Sequence, residues 1–285
     1  MFTTDRKQKL IEIFEDTQRF YAENAVLSAA VERTRRQTRL YGPDEYPELP
    51  EALAGRGEVR LMDARSFEAA MQLRREFPEA KIAVLNFASA TRPGGGVKNG
   101  STAQEEALCR CSTLYASLDR RFLWQNYYDV HRAAQDARYT DACIVSPGIV
   151  ICKTDTDFPE RLPLERFVTV DVISCAAPNL REQPSNRYNP QGGRAVKVTP
   201  KELYGLHCSR ARHILHAAAL HGARVLVLGA FGCGAFQNNP KVVAAAWHSV
   251  LEPARTCFDL TVFAIPRGRT DTANYDAFSM EFEEN

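Results

Sequence analysis

Three consecutive glycines, Gly94-Gly95-Gly96, followed after seven residues by Gln104-Glu105-Glu106, are the residues of this chain best suited to chemistry. Glycine has no Cβ, so its backbone reaches positive φ and lies close to a ligand. The run Lys81–Phe87 (KIAVLNF) reads as a buried strand ending near Asn86, and Gln104 opens an amphipathic helix. The triplet therefore sits between a strand and a helix N-terminus, with amide N–H groups free to face an anion and a helix dipole adding positive partial charge. A purely structural reading stands beside this one. Thr102-x-x-Glu105 fits a capping box, and acidic residues in a first helical turn are favoured by ~0.3–1 kcal/mol each. The pattern is neither G-x-G-x-x-G nor G-x-x-x-x-G-K-[ST], which counts against nicotinamide and nucleoside-triphosphate sites.

A second loop repeats the logic. The strand Val225–Gly229 (VLVLG) runs into Ala230-Phe231-Gly232-Cys233-Gly234-Ala235-Phe236, and Gln237-Asn238-Asn239-Pro240 starts another helix, with asparagine near the N-cap and proline near the first turn. Loops leaving the carboxyl ends of strands in an open α/β sheet share one crevice, so two such loops can grip a diphosphate from both sides. The candidate ligand-binding residues are then Asn86, Gly94, Gly95, Gly96 and Gln104 from the first region, and Gly232, Cys233, Gly234, Ala235 and Phe236 from the second. Phe236 lies against a ribose or base, or else packs in the core.

The elements that position these loops follow from periodicity. Strands are expected at Val59–Asp63, Lys81–Phe87, Ala142–Val145, Ile149–Cys152, Phe167–Ile173, Val225–Gly229 and Leu260–Ala264, and helices near 66–77, 104–118, 200–220 and 241–254. This alternation predicts a three-layer α/β/α sandwich. Ser146-Pro147-Gly148 reads as a hairpin turn, which makes the sheet mixed. Residues 1–50 read as an N-terminal helical extension closed by the proline-rich loop Tyr41–Pro50, ahead of a domain spanning 51–285, and 175–199 as a long irregular insertion.

Composition bounds the rest. With 36 Lys+Arg against 35 Asp+Glu among 285 residues, no bulk field exists for gripping long nucleic acid, and any polyanion must be met locally. No sequence-specific nucleic-acid binding is expected. The start MFTTDRKQKL lacks a secretory h-region and no run is apolar enough for a membrane span, so a cytoplasmic protein with no membrane partner is expected. Eight scattered cysteines without C-x-x-C read as reduced thiols. His207, His213, His216 and His221 share one helical stretch without a matching carboxylate or cysteine set, so no metal and no cofactor are expected. Cys233 lies where a thiolate is favoured, yet no histidine is near in sequence to activate it. Arg33, Arg35, Arg36 and Arg39 read as a solvated helix face, with contact to an extended polyanion as the alternative.

The spacing GGG-x7-QEE, together with Gly229-Ala-Phe-Gly-Cys-Gly-Ala-Phe236, resembles the paired motifs of poly(ADP-ribose) glycohydrolases, and from the N-terminal helices to Asn274 and Phe278 the chain is similar to their small microbial type. The resemblance implies a macrodomain-like fold that binds ADP-ribose, hydrolyses poly(ADP-ribose) or ADP-ribosylated protein, and releases ADP-ribose, a reversal of ADP-ribosylation tied to the DNA damage response. It also implies that Glu106 is the catalytic glutamate, that Glu105 holds the distal ribose, that Phe236 packs near the terminal ribose and adenine, and that Asn86 matches the macrodomain asparagine region.

The chemistry is consistent with that expectation. Cleaving a ribose–ribose O-glycosidic bond needs a proton for the leaving oxygen and a water for the anomeric carbon. Helix neighbours point ~100° apart, so Glu105 and Glu106 cannot flank one bond as paired glycosidase carboxylates do. One acid acting twice, Glu106, is the expectation. A non-catalytic ADP-ribose reader and a hydrolase of single ADP-ribose units on protein or nucleic acid are the alternatives.

Overall fold

The computed structural model describes residues 2–45, 55–185, 189–268 and 272–283. Helices α1 (Phe2–Glu23) and α2 (Ala25–Gln37) come first, then strands β1 (Arg39–Tyr41) and β2 (Glu58–Met62), helix α3 (Ser66–Glu76) and strand β3 (Ile82–Phe87). Helices α4 (Gln104–Cys111), α5 (Leu114–Leu118), α6 (Arg121–Leu123) and α7 (Asp129–Ala134) lead to strands β4 (Cys143–Ile151) and β5 (Val168–Cys175). The chain closes with α8 (Pro200–Leu220), β6 (Val225–Leu228), α9 (Pro240–Ala254), β7 (Leu260–Ala264) and α10 (Ala273–Phe282).

The seven strands form one sheet in the order β1-β4-β5-β3-β6-β7-β2. Strands β5, β3, β6, β7 and β2 run parallel, while β4 is antiparallel to β5 and to β1. The sheet is mixed as expected, but not through a hairpin at Ser146-Pro147-Gly148. Both apolar runs belong to one strand that pairs with β5 throughout, Ser146 opposite Val172 and Ile149 opposite Val170, with a bulge between them. Gly148 takes φ +73° there, its amide donates to Asp171 Oδ1 (3.0 Å), and the Thr34 hydroxyl donates to Pro147 O (2.8 Å). The proline and glycine mark a bulge, not a reversal.

Every residue of β6 is buried, as is β3 up to Asn86, because helices cover both faces. Ala83 and Leu85 face a core closed by α8, α9 and α10, with Ile214, Trp247 and Phe278. Ile82 and Val84 face the other core, with Phe67, Leu108 and Leu114. The expected helix 104–118 is broken at Ser112-Thr113. Thr113 N donates to Val150 O (3.1 Å) and its hydroxyl accepts from Val150 N (3.0 Å), so this pair answers the edge of β4 instead of the helix ladder.

The N-terminal helices are built into this body. Thr17 Oγ1 donates to the carbonyl of Arg110 in α4 (2.7 Å), Phe14 meets Tyr115 edge-on at 5.0 Å, and Lys153, 1% exposed, donates to Ile13 O (2.9 Å) and pairs with Asp16 (2.8 Å). Arg161 holds Asp16 from the other side, and together the two cations lower its carboxyl to about 2. Residues 46–50 of the expected loop, and with them the expected boundary at residue 50, lie outside the described residues, as do residues 186–188 of the insertion. No described helix is long and apolar enough to cross a membrane.

Candidate active site

The crevice forms where two strands part. The β3–β6 ladder ends at Val84 opposite Val227, whereas β3 stays paired with β5 as far as Phe87 opposite Cys175. Gln104 fills the gap: its Oε1 accepts from Phe87 N (2.8 Å), and its Nε2 donates to Leu85 O (2.8 Å) and Ser66 Oγ (3.0 Å). Expected among the ligand-binding residues, Gln104 instead has its amide committed to the protein. Its role is to fix the start of α4 against the end of β3.

Clamped there, α4 carries both glutamates inward, 2% and 7% exposed. The capping-box reading is overturned. Helix α4 starts after Ala103 with no side-chain cap, and Glu105, instead of folding back on Thr102, accepts from Ser89 N through Oε2 (2.7 Å) and faces Asn86 Nδ2 (3.4 Å) through Oε1. Asn86 in turn donates to Ser174 Oγ (2.9 Å), while its side-chain Oδ1 is buried without a hydrogen-bond partner. Burial and the neighbouring Glu106 charge push the Glu105 carboxyl up to about 8, against the pull of the Ser89, Asn86 and Gly94 donors. Glu106 is also raised by burial, opposed chiefly by the Gly96 amide, which donates to its Oε1 at 2.8 Å. Its Oε2 is buried with no partner in hydrogen-bonding geometry. Two buried carboxyls side by side share at least one proton near neutrality.

The glycine triplet explains itself through these acids. A Cβ on Gly95 would lie 2.6 Å from Glu106 Oε1 and 3.2 Å from Glu105 Oε2, and Gly95 holds φ +54°. A Cβ on Gly94 would meet the Tyr115 ring at 2.8 Å, and one on Gly96 the Ser101 hydroxyl at 2.3 Å. The amides expected to be free are occupied: Gly95 N donates to Arg92 O (3.1 Å) and Gly96 N to Glu106. The first loop is wrapped around the protein's own carboxyl pair.

The second loop is organised differently. Asn238, not among the residues expected to bind ligand, is its hub: buried, it donates through Nδ2 to Pro178 O (2.7 Å), Gly232 O (3.0 Å) and Phe236 O (3.2 Å). Three carbonyls fix the orientation of that amide, so its Oδ1 must accept, and His207 Nε2 at 2.8 Å must carry the hydrogen. Burial lowers the His207 pKa to about 4, which keeps the ring neutral for that task. Gly232, at φ +81°, has its Cβ position filled by Ala177 (2.6 Å). The next residues face outward. Gly234 and Ala235 are exposed, and among the described residues nothing accepts from the amides of Gly234, Ala235 and Phe236. Three successive N–H groups without an acceptor stand ahead of α9, whose first turn is capped by Asn239 (3.0 Å to Lys241 N), an arrangement of the kind that receives anions.

Phe236 is half-buried between the Arg181 guanidinium, 5.6 Å above its ring, and Tyr139 at 6.2 Å. Burial raises the Cys233 thiol to about 12, so the favoured thiolate does not form. The two loops and the 175–199 insertion meet at one rim. Phe87 packs on Phe231 (5.7 Å), Thr91 donates to Asn189 (3.0 Å), and Leu180 N donates to Phe236 O (3.0 Å). Glu105, Glu106, Asn86 and both glycine loops are thus brought together, with Ser89, Ser174, Asn238 and His207 as supports that only non-local pairing reveals. His207, His213, His216 and His221 occupy α8 and its C-cap, and among the described residues no three or more His, Cys, Asp or Glu side chains are grouped to hold a metal.

Residues 8–154 match the family described as the microbial-type PARG catalytic domain. A poly(ADP-ribose) glycohydrolase from Deinococcus radiodurans, solved in complex with ADP-ribose, is 34% identical, with 89% of this chain and 97% of that one covered and a TM-score of 0.74. One from Thermomonospora curvata, bound to the inhibitor ADP-HPD, is 32% identical, with 98% of this chain and all of that one covered and a TM-score of 0.77. Among curated proteins none matches the chain.

Proposed function

The chain belongs to the microbial-type poly(ADP-ribose) glycohydrolase family and hydrolyses poly(ADP-ribose), and from that premise we propose that Glu106 is the single acid–base of the reaction. The observation that carries this is a buried carboxyl with one oxygen held by the Gly96 amide and the other, Oε2, without a partner. A carboxyl so placed is pushed by burial above the ordinary glutamate range, the direction an acid that gives a proton near neutrality needs.

In the proposed sequence Glu106 gives its proton to the leaving ribose oxygen as the C–O bond to the anomeric carbon breaks, and the bonding electrons leave with that oxygen. The oxocarbenium-like ribose is stabilised by the diphosphate beside it. Water then adds to the anomeric carbon and returns a proton to the Glu106 carboxylate, which restores the acid and frees ADP-ribose. Glu105, raised to about 8 by burial and by the Glu106 charge that forms once the proton is given, hydrogen-bonds a distal ribose hydroxyl. The amides of Gly234, Ala235 and Phe236 hold the diphosphate, and the Phe236 ring lies along the terminal ribose. Asn86 supports Glu105 from below.

The test is incubation with defined polymer and with mono-ADP-ribosylated protein, followed by mass analysis of the products. Wild-type enzyme is expected to release ADP-ribose from polymer. Glu106→Gln, which keeps the shape and removes only the titrating group, is expected to lower turnover by ~10³-fold or more with ADP-ribose affinity within a few fold. A Gln variant with near wild-type rates would overturn the assignment.

A further inference from the structure

Cleavage at Glu106 uses none of the arginines near the end of α2, yet the structure joins them to the catalytic loop. Lys98, 64% exposed on the turn after the glycine triplet, lies 3.8 Å from the Asp119 carboxylate and 5.1 Å from the Tyr115 ring. Tyr115 is the ring against which Gly94 packs, and its hydroxyl donates to Asp119 at 2.6 Å. The next residue, Arg120, donates to the carbonyl of Arg35. From there Arg33, Arg35 and Arg36 stand exposed on α2, and Arg39 opens β1.

We propose that this basic face docks the part of the poly(ADP-ribose) chain that lies beyond the bond being cut. The inference rests on the glycohydrolase reading and deepens it. In this proposal, chain past the scissile linkage leaves along this loop: Gly96 holds the Glu106 carboxyl through Oε1, and Lys98 stands exposed two residues further on. Each further unit of that polymer brings two phosphates and one adenine, and the face answers both. Arg35 pairs only loosely with Glu32 (4.0 Å), and among the described residues no carboxylate pairs with Arg33, Arg36 or Arg39. Burial, and after it the neighbouring Arg35 charge, hold the Arg120 guanidinium below its usual pKa, and these cations gather on one face of a chain whose net charge is only +1. Such crowding is self-repulsive until a polyanion is bound. Two residues after Arg120, Phe122 is 46% exposed, an aromatic of the kind on which purine bases stack along a flexible strand.

The test compares Arg33→Gln/Arg36→Gln/Arg39→Gln with a control pair on the other side of the sheet, Lys201→Gln/Arg212→Gln, on long and on two-unit poly(ADP-ribose). The triple variant is expected to raise KM about tenfold on long polymer with kcat unchanged, to move KM on the two-unit substrate less than twofold, and to flatten the salt dependence by about 2 log units per log unit, ~0.7 for each of three lost phosphate contacts. Phe122→Ala is expected to raise the long-polymer KM several-fold at unchanged salt slope. Unchanged KM and slope, an equal deficit on the two-unit substrate, or an equal deficit in the control pair would overturn the proposal. So would intact polymer kinetics with lost binding of a single-stranded DNA oligonucleotide, since that assigns the face to nucleic acid. Direct binding of long polymer, measured in the Glu106→Gln background, reads the docking face without turnover, so failure of the wild type to cleave polymer would strike the glycohydrolase reading alone.

Discussion

The two glycine loops leave neighbouring strands by the same route, strand then glycines then helix, and do opposite things. In the first, the Cβ positions of all three glycines are filled, by Tyr115, by the two carboxyls and by Ser101, and the amides of Gly95 and Gly96 turn inward. In the second, Gly229 and Gly232 are packed tight but Gly234 meets nothing, and among the described residues the amides of Gly234, Ala235 and Phe236 have no acceptor, in a loop held by Asn238. On the proposed reading the first loop shapes an acid and the second a grip. A glycine-rich turn after a strand is therefore a means of bringing backbone close to something, and only the packing decides whether that something is the protein's own carboxyl or a ligand's phosphate.

The division can be broken by moving a methyl group. Gly95→Ala puts a Cβ 2.6 Å from Glu106 Oε1 at a φ of +54°, so both acids must shift. We expect kcat to fall by ~10²-fold or more, the cost of displacing a catalytic group by a fraction of an ångström, with ADP-ribose affinity changed only a few fold. A Gly95→Ala variant that instead lost affinity and kept kcat would show the first loop to be a phosphate site. Asn238→Ala is the counterpart in the second loop. It removes the donor shared by Pro178 O, Gly232 O and Phe236 O and strands His207, which we expect to cost ~1–3 kcal/mol of stability and to raise KM about tenfold, with kcat less affected. Equal losses in kcat for both variants would dissolve the distinction.

Much of this site was legible before the fold was known, for a physical reason. Residue types that tolerate positive φ and buried charge are rare, so Gly94-Gly95-Gly96, Glu105-Glu106 and Gly232–Phe236 stand out in sequence. What was not legible is what each group touches. Gln104 looks like part of the acidic motif and is in fact a plug where β3 and β6 separate, a fact set by strand divergence and not by its neighbours in sequence. Asn238 and His207 are 31 residues apart and meet only because α8 and the second loop pack together. The fold class followed from alternating strands and helices, yet the Ser146-Pro147-Gly148 hairpin did not hold, since turn residues are equally at home in a bulge. The short strand β1 and helices α6, α7 and α10 were missed because three-residue to ten-residue elements carry little periodicity of their own.

The carboxyl pair sharpens the comparison further through pH. With a folded pKa of about 8 against 4.5 unperturbed, Glu105 is held neutral by the fold. A raised carboxyl of this kind contributes stability that is complete below pH 4.5 and is lost as pH rises through 8. Glu105→Gln, permanently neutral, should therefore gain stability relative to wild type across that window, by an amount on the order of a few kcal/mol in urea unfolding at pH 9 compared with pH 5. A difference that stays flat with pH would mean that the folded protein ionises Glu105 freely.

The smallest effect is expected at Gly234, and it is informative for that reason. A Cβ there meets nothing within 4 Å, and Gly234 is not among the residues with positive φ. If the diphosphate is held by outward N–H groups alone, Gly234→Ala leaves those groups in place, and calorimetry should find ADP-ribose affinity within about twofold of wild type. A large loss would mean that the phosphates lie on the Cβ side of the loop, close enough for a methyl group to exclude them. The second loop would then resemble the first after all, a backbone kept bare for close approach and not for the direction of its amides.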